Sequence, residues 1–200
     1  MHPDRSFRWE DRPAMRAFVS GRSFGMLCVT TPDGPQVAHV PVIFLDDDRI
    51  GFHLSNANGI VRHVEGAQAL FAVNGPDGYI SPDWYGLDDQ VPTWNYLSVE
   101  LGGGVTAMDR DSLAGLIDAL SDDRERRLAP KPVWTRQKMT DGLFDRMLGA
   151  ITGYEMQIET WRGTRKLGQN KPPAARDAAA HALEGIGGHE IAALMRGAGQ

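Results

Sequence analysis

Phe24–Thr31 reads FGMLCVTT, Gln36–Leu45 reads QVAHVPVIFL and Ile50–Leu54 reads IGFHL. These apolar, β-branched runs are separated by Pro32-Asp33-Gly34-Pro35 and by Asp46–Arg49, both turn compositions, so each run reads as a strand. Ala67–Asn74 (AQALFAVN), Thr93–Gly102 (TWNYLSVELG) and Tyr154–Thr160 (YEMQIET) extend the series. Connections this short leave no room for the crossover helix of a parallel pair, so the sheet is expected to be mainly antiparallel. Strands of this number and composition predict a small barrel. Pro41 inside a strand pattern marks an edge or a bulge. Gly102-Gly103-Gly104 follows a strand without dinucleotide-loop spacing and reads as a strand-ending bulge or turn.

Helical periodicity brackets these strands. Asp11 is a candidate N-cap with Pro13 in the first turn, and Met15, Phe18 and Val19 form one apolar stripe ending near Gly21. Asn58–Glu65 suggests a short helix. Leu113, Leu116, Ile117 and Leu120 share one face of a helix over Asp111–Leu120. Leu143, Phe144, Met147, Leu148 and Ile151 share another, with Thr140 or Asp141 as its cap. Asp122–Lys138, charged and broken by proline, reads as an exposed connection. Pro172-Pro173 separates an alanine-rich tail with helical character through Met195. The expected organisation is one barrel domain over residues 1–171 and a helical tail over 172–200.

Composition excludes several classes. Of 200 residues, 42% are hydrophobic and 24% charged, a globular balance that rules out wholesale disorder. A net charge of −5 argues against a nucleic-acid coat, while leaving room for a local basic stripe. The best such stripe is Arg162–Arg176, with Arg162, Arg165, Lys166, Lys171 and Arg176 offset by no acidic residue. No apolar run approaches the ~20 residues of a membrane span, and the first residues lack the apolar core of a secretory signal. The expectation is a cytoplasmic protein without a membrane partner. A single cysteine, Cys28, excludes an internal disulfide and a cysteine-based zinc site. His39 and His53 fall on neighbouring strands without a carboxylate partner, so no metal is expected.

Three clusters carry candidate chemistry. In His53-Leu54-Ser55-Asn56-Ala57-Asn58-Gly59 a strand runs into a short helix, and backbone N–H groups with small polar side chains there suit a phosphate. Plain helix capping by Asn58 would produce the same residues. The second cluster is Tyr79-Ile80-Ser81-Pro82-Asp83-Trp84-Tyr85 with Val91–Tyr96 (VPTWNY). Its aromatics, hydroxyls and amide suit a flat ligand, and equally a barrel core. Third, Lys166-Leu167-Gly168-Gln169-Asn170-Lys171 is a polar run that also reads as a solvated turn.

These stretches carry a family likeness. Phe24-Gly25, Ala38-His39-Val40-Pro41, His53-Leu54 with Ala57-Asn58, Tyr79-Ile80-Ser81-Pro82 with Trp84-Tyr85, Val91–Tyr96, and Lys166-Leu167 with Gln169-Asn170 together resemble the PaiB-like family of FMN-binding negative transcriptional regulators. That family belongs with the flavin-binding split-barrel proteins, which include pyridoxamine 5′-phosphate oxidase. The resemblance implies a six-stranded antiparallel split β-barrel with peripheral helices, a homodimer, and FMN in the cleft between subunits. It places His39, Val40 and Pro41, with His53, Leu54 and Ser55, along the flavin and its ribityl chain. Asn58 and Arg62 fall near the phosphate, and Trp94, Asn95 and Tyr96 contribute from the other side. Lys166, Gln169 and Asn170 complete the implied set. The chain departs from the family pattern at Asn56, Gly59, Val61, Asp77 and Glu100, changes that remove positive or apolar contacts or add an anion.

Three functions remain open on these grounds. The resemblance favours an FMN-binding regulator-like protein, with DNA as a partner through the local basic stripe. An FMN-dependent oxidoreductase of the pyridoxamine 5′-phosphate oxidase or flavin reductase type is the alternative, since the cofactor itself would carry the redox chemistry. A barrel that has lost its flavin is the third.

Overall fold

The structure, a computed structural model, describes residues 3–198. A two-residue strand β1 (Arg8–Trp9) precedes helix α1 (Arg12–Arg22) and strands β2 (Phe24–Thr31), β3 (Gly34–Pro41), β4 (Ile43–Phe44), β5 (Arg49–Ser55), β6 (Gln68–Ile80) and β7 (Thr93–Ala107). Helices α2 (Arg110–Arg126) and α3 (Leu143–Leu148) follow, then β8 (Ile151–Lys166), α4 (Pro173–Gly185) and α5 (His189–Gly197). The strands hydrogen-bond in the order β3-β2-β6-β7-β8-β5-β4, with β1 on β8. The β2–β3, β2–β6, β4–β5, β5–β8 and β1–β8 pairs are antiparallel. The fold is mainly β and antiparallel with peripheral helices, as the alternating runs predict. No helix among the described residues is long and apolar enough to cross a membrane.

Eight strands appear where six were expected, and the pairing path runs from β3 to β4 without closing on itself. Pro41 accounts for part of the difference. It ends β3, and the Val42 N–H turns away to the Ser23 carbonyl (3.0 Å), so the expected Gln36–Leu45 strand is two strands. The glycine triplet does not end β7 but lies within it. A Cβ on Gly103 would fall 1.7 Å from the Gln157 carbonyl oxygen, and one on Gly102 would fall 2.5 Å from Thr160 Oγ1. Glycine here permits the close approach of another strand.

The helices differ in length. α2 runs on to Arg126, into the stretch expected to be an irregular connection. Arg126–Asp122 and Arg127–Asp123 pairs at i,i+4 spacing lace its last turns. Gly142, at φ +71°, precedes α3 with no side-chain cap, so neither Thr140 nor Asp141 plays that role. The tail forms two helices, interrupted at Gly187 with φ +94°.

The chain packs as two compact units. One comprises residues 17–72 and 100–161, the other 3–16, 73–99 and 162–198. The core of the first holds Leu27, Ile50, Leu101 and Met156, with Phe52 against Phe71 and Tyr154 at centroid distances of 6.2 and 5.7 Å. Leu113, Leu116 and Leu120 of α2 pack with Leu148 of α3; the α2 face is the one its spacing predicts, whereas in the α3 stripe Met147 is exposed and Ile151 belongs to β8. Each such buried side chain contributes about 1.5–3 kcal/mol. The second unit buries Ile80, Leu167, Ile191 and Met195. There α4 and α5 lie against β6, and a Cβ on Gly78 would stand 3.2 Å from Leu183 and Ile191 side-chain atoms.

Candidate functional site

In the unit containing β3 and β5, strand alternation sorts the candidates. His39 is exposed and its ring stacks with Phe24 at 6.5 Å, while Val40 is 3% exposed and Pro41 half-buried. His53 is half-buried, Leu54 is 2% exposed and Ser55 is open to solvent. Val40 and Leu54 are therefore core side chains, able to meet a ligand only through their backbone. Nδ1 of His53 is buried without a hydrogen-bond partner, and burial lowers the imidazole pKa, keeping the ring neutral at pH 7.

The helix expected over Asn58–Glu65 is present only as a 3-10 turn. The stretch after β5 is a turn leading into this three-residue segment, Val61–His63, so no helix dipole is available for a phosphate. Ser55 Oγ accepts from the Ala57 N–H at 3.3 Å, and Asn58 Oδ1 accepts from the Ile60 N–H at 3.1 Å. These short-range bonds are what drew the residues into a capping pattern. Arg62 is exposed and its Nε donates to His63 Nε2 at 3.1 Å. The departure at Asn56 has a structural explanation. Its Nδ2 donates to the Gly149 carbonyl (3.1 Å) and its Oδ1 accepts from the Thr152 hydroxyl (2.7 Å), fastening the turn to the approach of β8.

In the other unit, β7 divides Trp94, Asn95 and Tyr96 between its two faces. Trp94, 55% exposed, and Tyr96 line a groove of about 330 Å³ with Asn74, Asp77 and Ser98. The Tyr79 ring meets Trp94 edge-on at 6.0 Å. Asn95 faces the opposite way. It is 0% exposed, and neither its amide nitrogen nor its oxygen has a partner.

Asn95 lines a cavity of about 230 Å³ with Tyr85, Thr93, Lys166, Asn170 and Lys171. Lys166 Nζ donates to Thr93 Oγ1 and lies 5.6 Å from the Phe7 ring centroid. Its pKa is lowered by burial first and by Lys171 second. Lys171 Nζ donates to Gln90 Oε1 and lies 5.3 Å from the Tyr85 ring centroid. The intervening turn needs glycine. Gly168 has φ +75°, and a Cβ there would stand 3.7 Å from Asn95 Nδ2 and 3.6 Å from Arg176 Cγ. Arg176 is 7% exposed, with Nε unpartnered.

Two sequence expectations change here. Gln169 has no free amide to offer a cofactor. Its Nε2 donates to the Ser6 and Arg165 carbonyls and its Oε1 accepts from the Leu167 N–H. The Arg162–Arg176 stripe is not one solvated face either, because Lys166 and Lys171 line a cavity and Arg176 is buried. Lys171 and Tyr85 line this cavity but are not among the cofactor residues that the resemblance implies. Arg176 is legible in the sequence only as the end of the basic stripe, a lone arginine in an alanine-rich helix.

Comparison with known proteins identifies the family and the fold. The sequence profile of the family described as "Putative FMN-binding domain" matches residues 1–160. The chain is 28% identical over 175 residues to protease synthase and sporulation protein PAI 2 of Bacillus subtilis (strain 168), covering 86% of this chain and 83% of that one. In fold it is similar to the FAD and heme binding protein from Mycobacterium smegmatis, with TM-score 0.58, 19% identity, and 80% of this chain and 73% of that one covered. The flavocytochrome Anf3 from Azotobacter vinelandii is similar too, at TM-score 0.59 and 17% identity, over 82% of this chain and 72% of that one. With four-fifths of its residues inside the profile, the chain belongs to this FMN-binding family, PaiB-like in sequence, and FMN is its cofactor.

Proposed function

We propose that this protein is a homodimeric flavoprotein of the regulator-like PaiB type, holding FMN through two sets of residues that come from different subunits. One set is His39, Pro41, His53, Ser55, Asn58 and Arg62, with Arg62 the cation for the phosphate. The other is the aromatic groove of Trp94 and Tyr96, facing the ring system. The six longer strands, β2, β3, β5, β6, β7 and β8, are the strands of the split barrel in this reading. The observation that carries it is Trp94, which leaves more than half its surface in solvent beside a groove of about 330 Å³. That volume falls within the ~300–1,000 Å³ range of small-molecule sites, and an aromatic face suits a flat ring.

The donor set fits the cofactor. The buried, unpartnered Nδ1 of His53 can make one hydrogen bond to a polar edge, as donor or acceptor, because its ring is neutral. Bound FMN supplies hydride and one-electron transfer, and the protein's part is to orient the ring and set the charge around it. A regulatory role, which the resemblance to PaiB-like proteins implies, runs in this reading through flavin occupancy. Of the basic stripe, Arg162 and Arg165 are the cations neither buried nor lining the cavity, and any DNA contact falls to them.

Titration of flavin fluorescence with two variants tests the assignment. Trp94→Ala should weaken FMN and riboflavin alike. Arg62→Ala should weaken FMN about thirtyfold, by loss of a charge-assisted bond near 2 kcal/mol, and spare riboflavin. An unchanged FMN-to-riboflavin ratio in Arg62→Ala removes Arg62 from the phosphate site.

A further inference from the structure

Asn95 has both polar side-chain atoms buried and unpartnered among the described residues. It sits on β7 in phase with the core residues Leu97, Val99 and Leu101, at 0% exposure, with its amide unpartnered. An amide buried in a core register without a partner is unfavourable unless a ligand supplies one. The cavity it lines also receives two lysines whose ammonium groups donate to neutral partners, Thr93 and Gln90. Neither lysine is in an ion pair among the described residues. The one carboxylate at the cavity, Asp4, already accepts from the Ser6 N–H (2.9 Å) and the Ser6 hydroxyl (2.8 Å). Behind Gly168, the buried Arg176 adds a third positive charge, in no ion pair among the described residues.

We infer that this cavity is an oxyanion site that takes a phosphate group, held by Lys166 and Lys171 and hydrogen-bonded by Asn95. Two ammonium groups in one low-dielectric cavity repel each other, and an anion between them reverses that term. Lysine binds phosphate as a mobile point charge, and the Asn95 Nδ2 donor supplies direction. Size restricts the ligand. About 230 Å³ is below the range for a whole nucleotide-sized ligand, so the cavity admits the anionic group and a few waters. That group is the phosphate of a second ligand or, in place of the Arg62 assignment, the 5′-phosphate of FMN, and the chemistry at the cavity is the same. The inference does not depend on where the flavin ring lies.

Inorganic phosphate is the probe. Calorimetric titration at constant ionic strength, balanced with chloride, compares the full-length wild type with Lys166→Gln and Lys171→Gln. Wild type should bind phosphate, and each variant should bind about tenfold more weakly. Lys171 is partly exposed, so Lys171→Gln keeps the test decisive if Lys166→Gln does not fold. The same proteins are then titrated with FMN and riboflavin. FMN weakened with riboflavin unchanged supports the site and assigns it to the cofactor's phosphate. FMN unchanged while inorganic phosphate is weakened supports it as the site of a second phosphorylated ligand. No phosphate binding by wild type, or equal binding by all three proteins, overturns it. Failure of the flavin reading looks different: FMN is then not bound by wild type, whatever phosphate does.

Discussion

Gln169 donates through Nε2 to the carbonyl of Ser6 at 3.1 Å, joining residues 163 apart in sequence. The same nitrogen donates to the Arg165 carbonyl, and Oε1 accepts from the Leu167 N–H at 2.7 Å. One amide thus holds the N-terminal segment against the turn that follows β8. Gln169→Ala leaves three backbone groups without that partner and should cost about 1–3 kcal/mol in urea denaturation. Gln169→Glu, which keeps an acceptor for Leu167 but loses both donors, should recover little of it.

Within the glycine triplet, alanine should be tolerated at one position and not at another. A Cβ at Gly103 meets the Gln157 carbonyl oxygen at 1.7 Å, whereas one at Gly104 meets its nearest neighbour, the flexible Gln68 side chain, at 3.5 Å. Gly103→Ala forces backbone apart and should cost about 3 kcal/mol or prevent folding, while Gly104→Ala should fall within about 1 kcal/mol of wild type. Soluble yield and thermal melts of the two proteins decide the matter.

His53 gives stability a pH dependence. Burial lowers its folded pKa below the ordinary 6.5, so at mildly acidic pH the unfolded chain takes up a proton that the folded one does not. Stability contributed by the neutral ring is complete above pH 6.5 and is lost as pH falls from there through the lowered folded pKa. The melting temperature should therefore drop on acidification, and His53→Gln should show a smaller drop over the same interval.

Tyr79 and Trp94 leave 42% and 55% of their surface exposed in edge-on ring contact, and the proposed dimer would cover them. Sedimentation at micromolar concentration should give a dimer, and Trp94→Asp should shift it toward monomer. A wild-type monomer that still binds FMN tightly would contradict a flavin site shared between subunits.

Asp77 lines the groove beside Trp94 and Tyr96. A carboxylate near a flavin ring opposes the negative charge that reduction brings. Asp77→Asn should accordingly raise the midpoint potential of bound FMN, measured by anaerobic dye titration. An unchanged potential would place the ring elsewhere.

Much of this architecture is legible in the chain, because alternation and turn composition are local signals. β2, β5 and most of β3 follow from them, as does the buried face of α2, whereas the α3 stripe is broken by the exposed Met147 and by Ile151, which lies in β8. Departures arise where a distant partner decides. Gly103 reads as a strand breaker until the carbonyl of Gln157 is placed beside it. Asn58 and Ser55 have the same side chains whether they cap a helix or lock a turn. Asn95 was visible in part, since it shares the phase of Leu97, Val99 and Leu101, and an amide in a core register asks for a partner. That Lys166 and Lys171 line a cavity, whereas Gln169 ties down the turn between them, depends on how residues 167–171 fold back over β7, and no local pattern encodes that.

Equilibrium titration of FMN against the purified protein, followed by quenching of flavin fluorescence, tests flavin binding most directly. Saturation at one FMN per chain, with riboflavin bound more weakly, is the predicted result. Flavin fluorescence that stays unquenched at protein concentrations well above micromolar, in a protein shown to be folded, would contradict it.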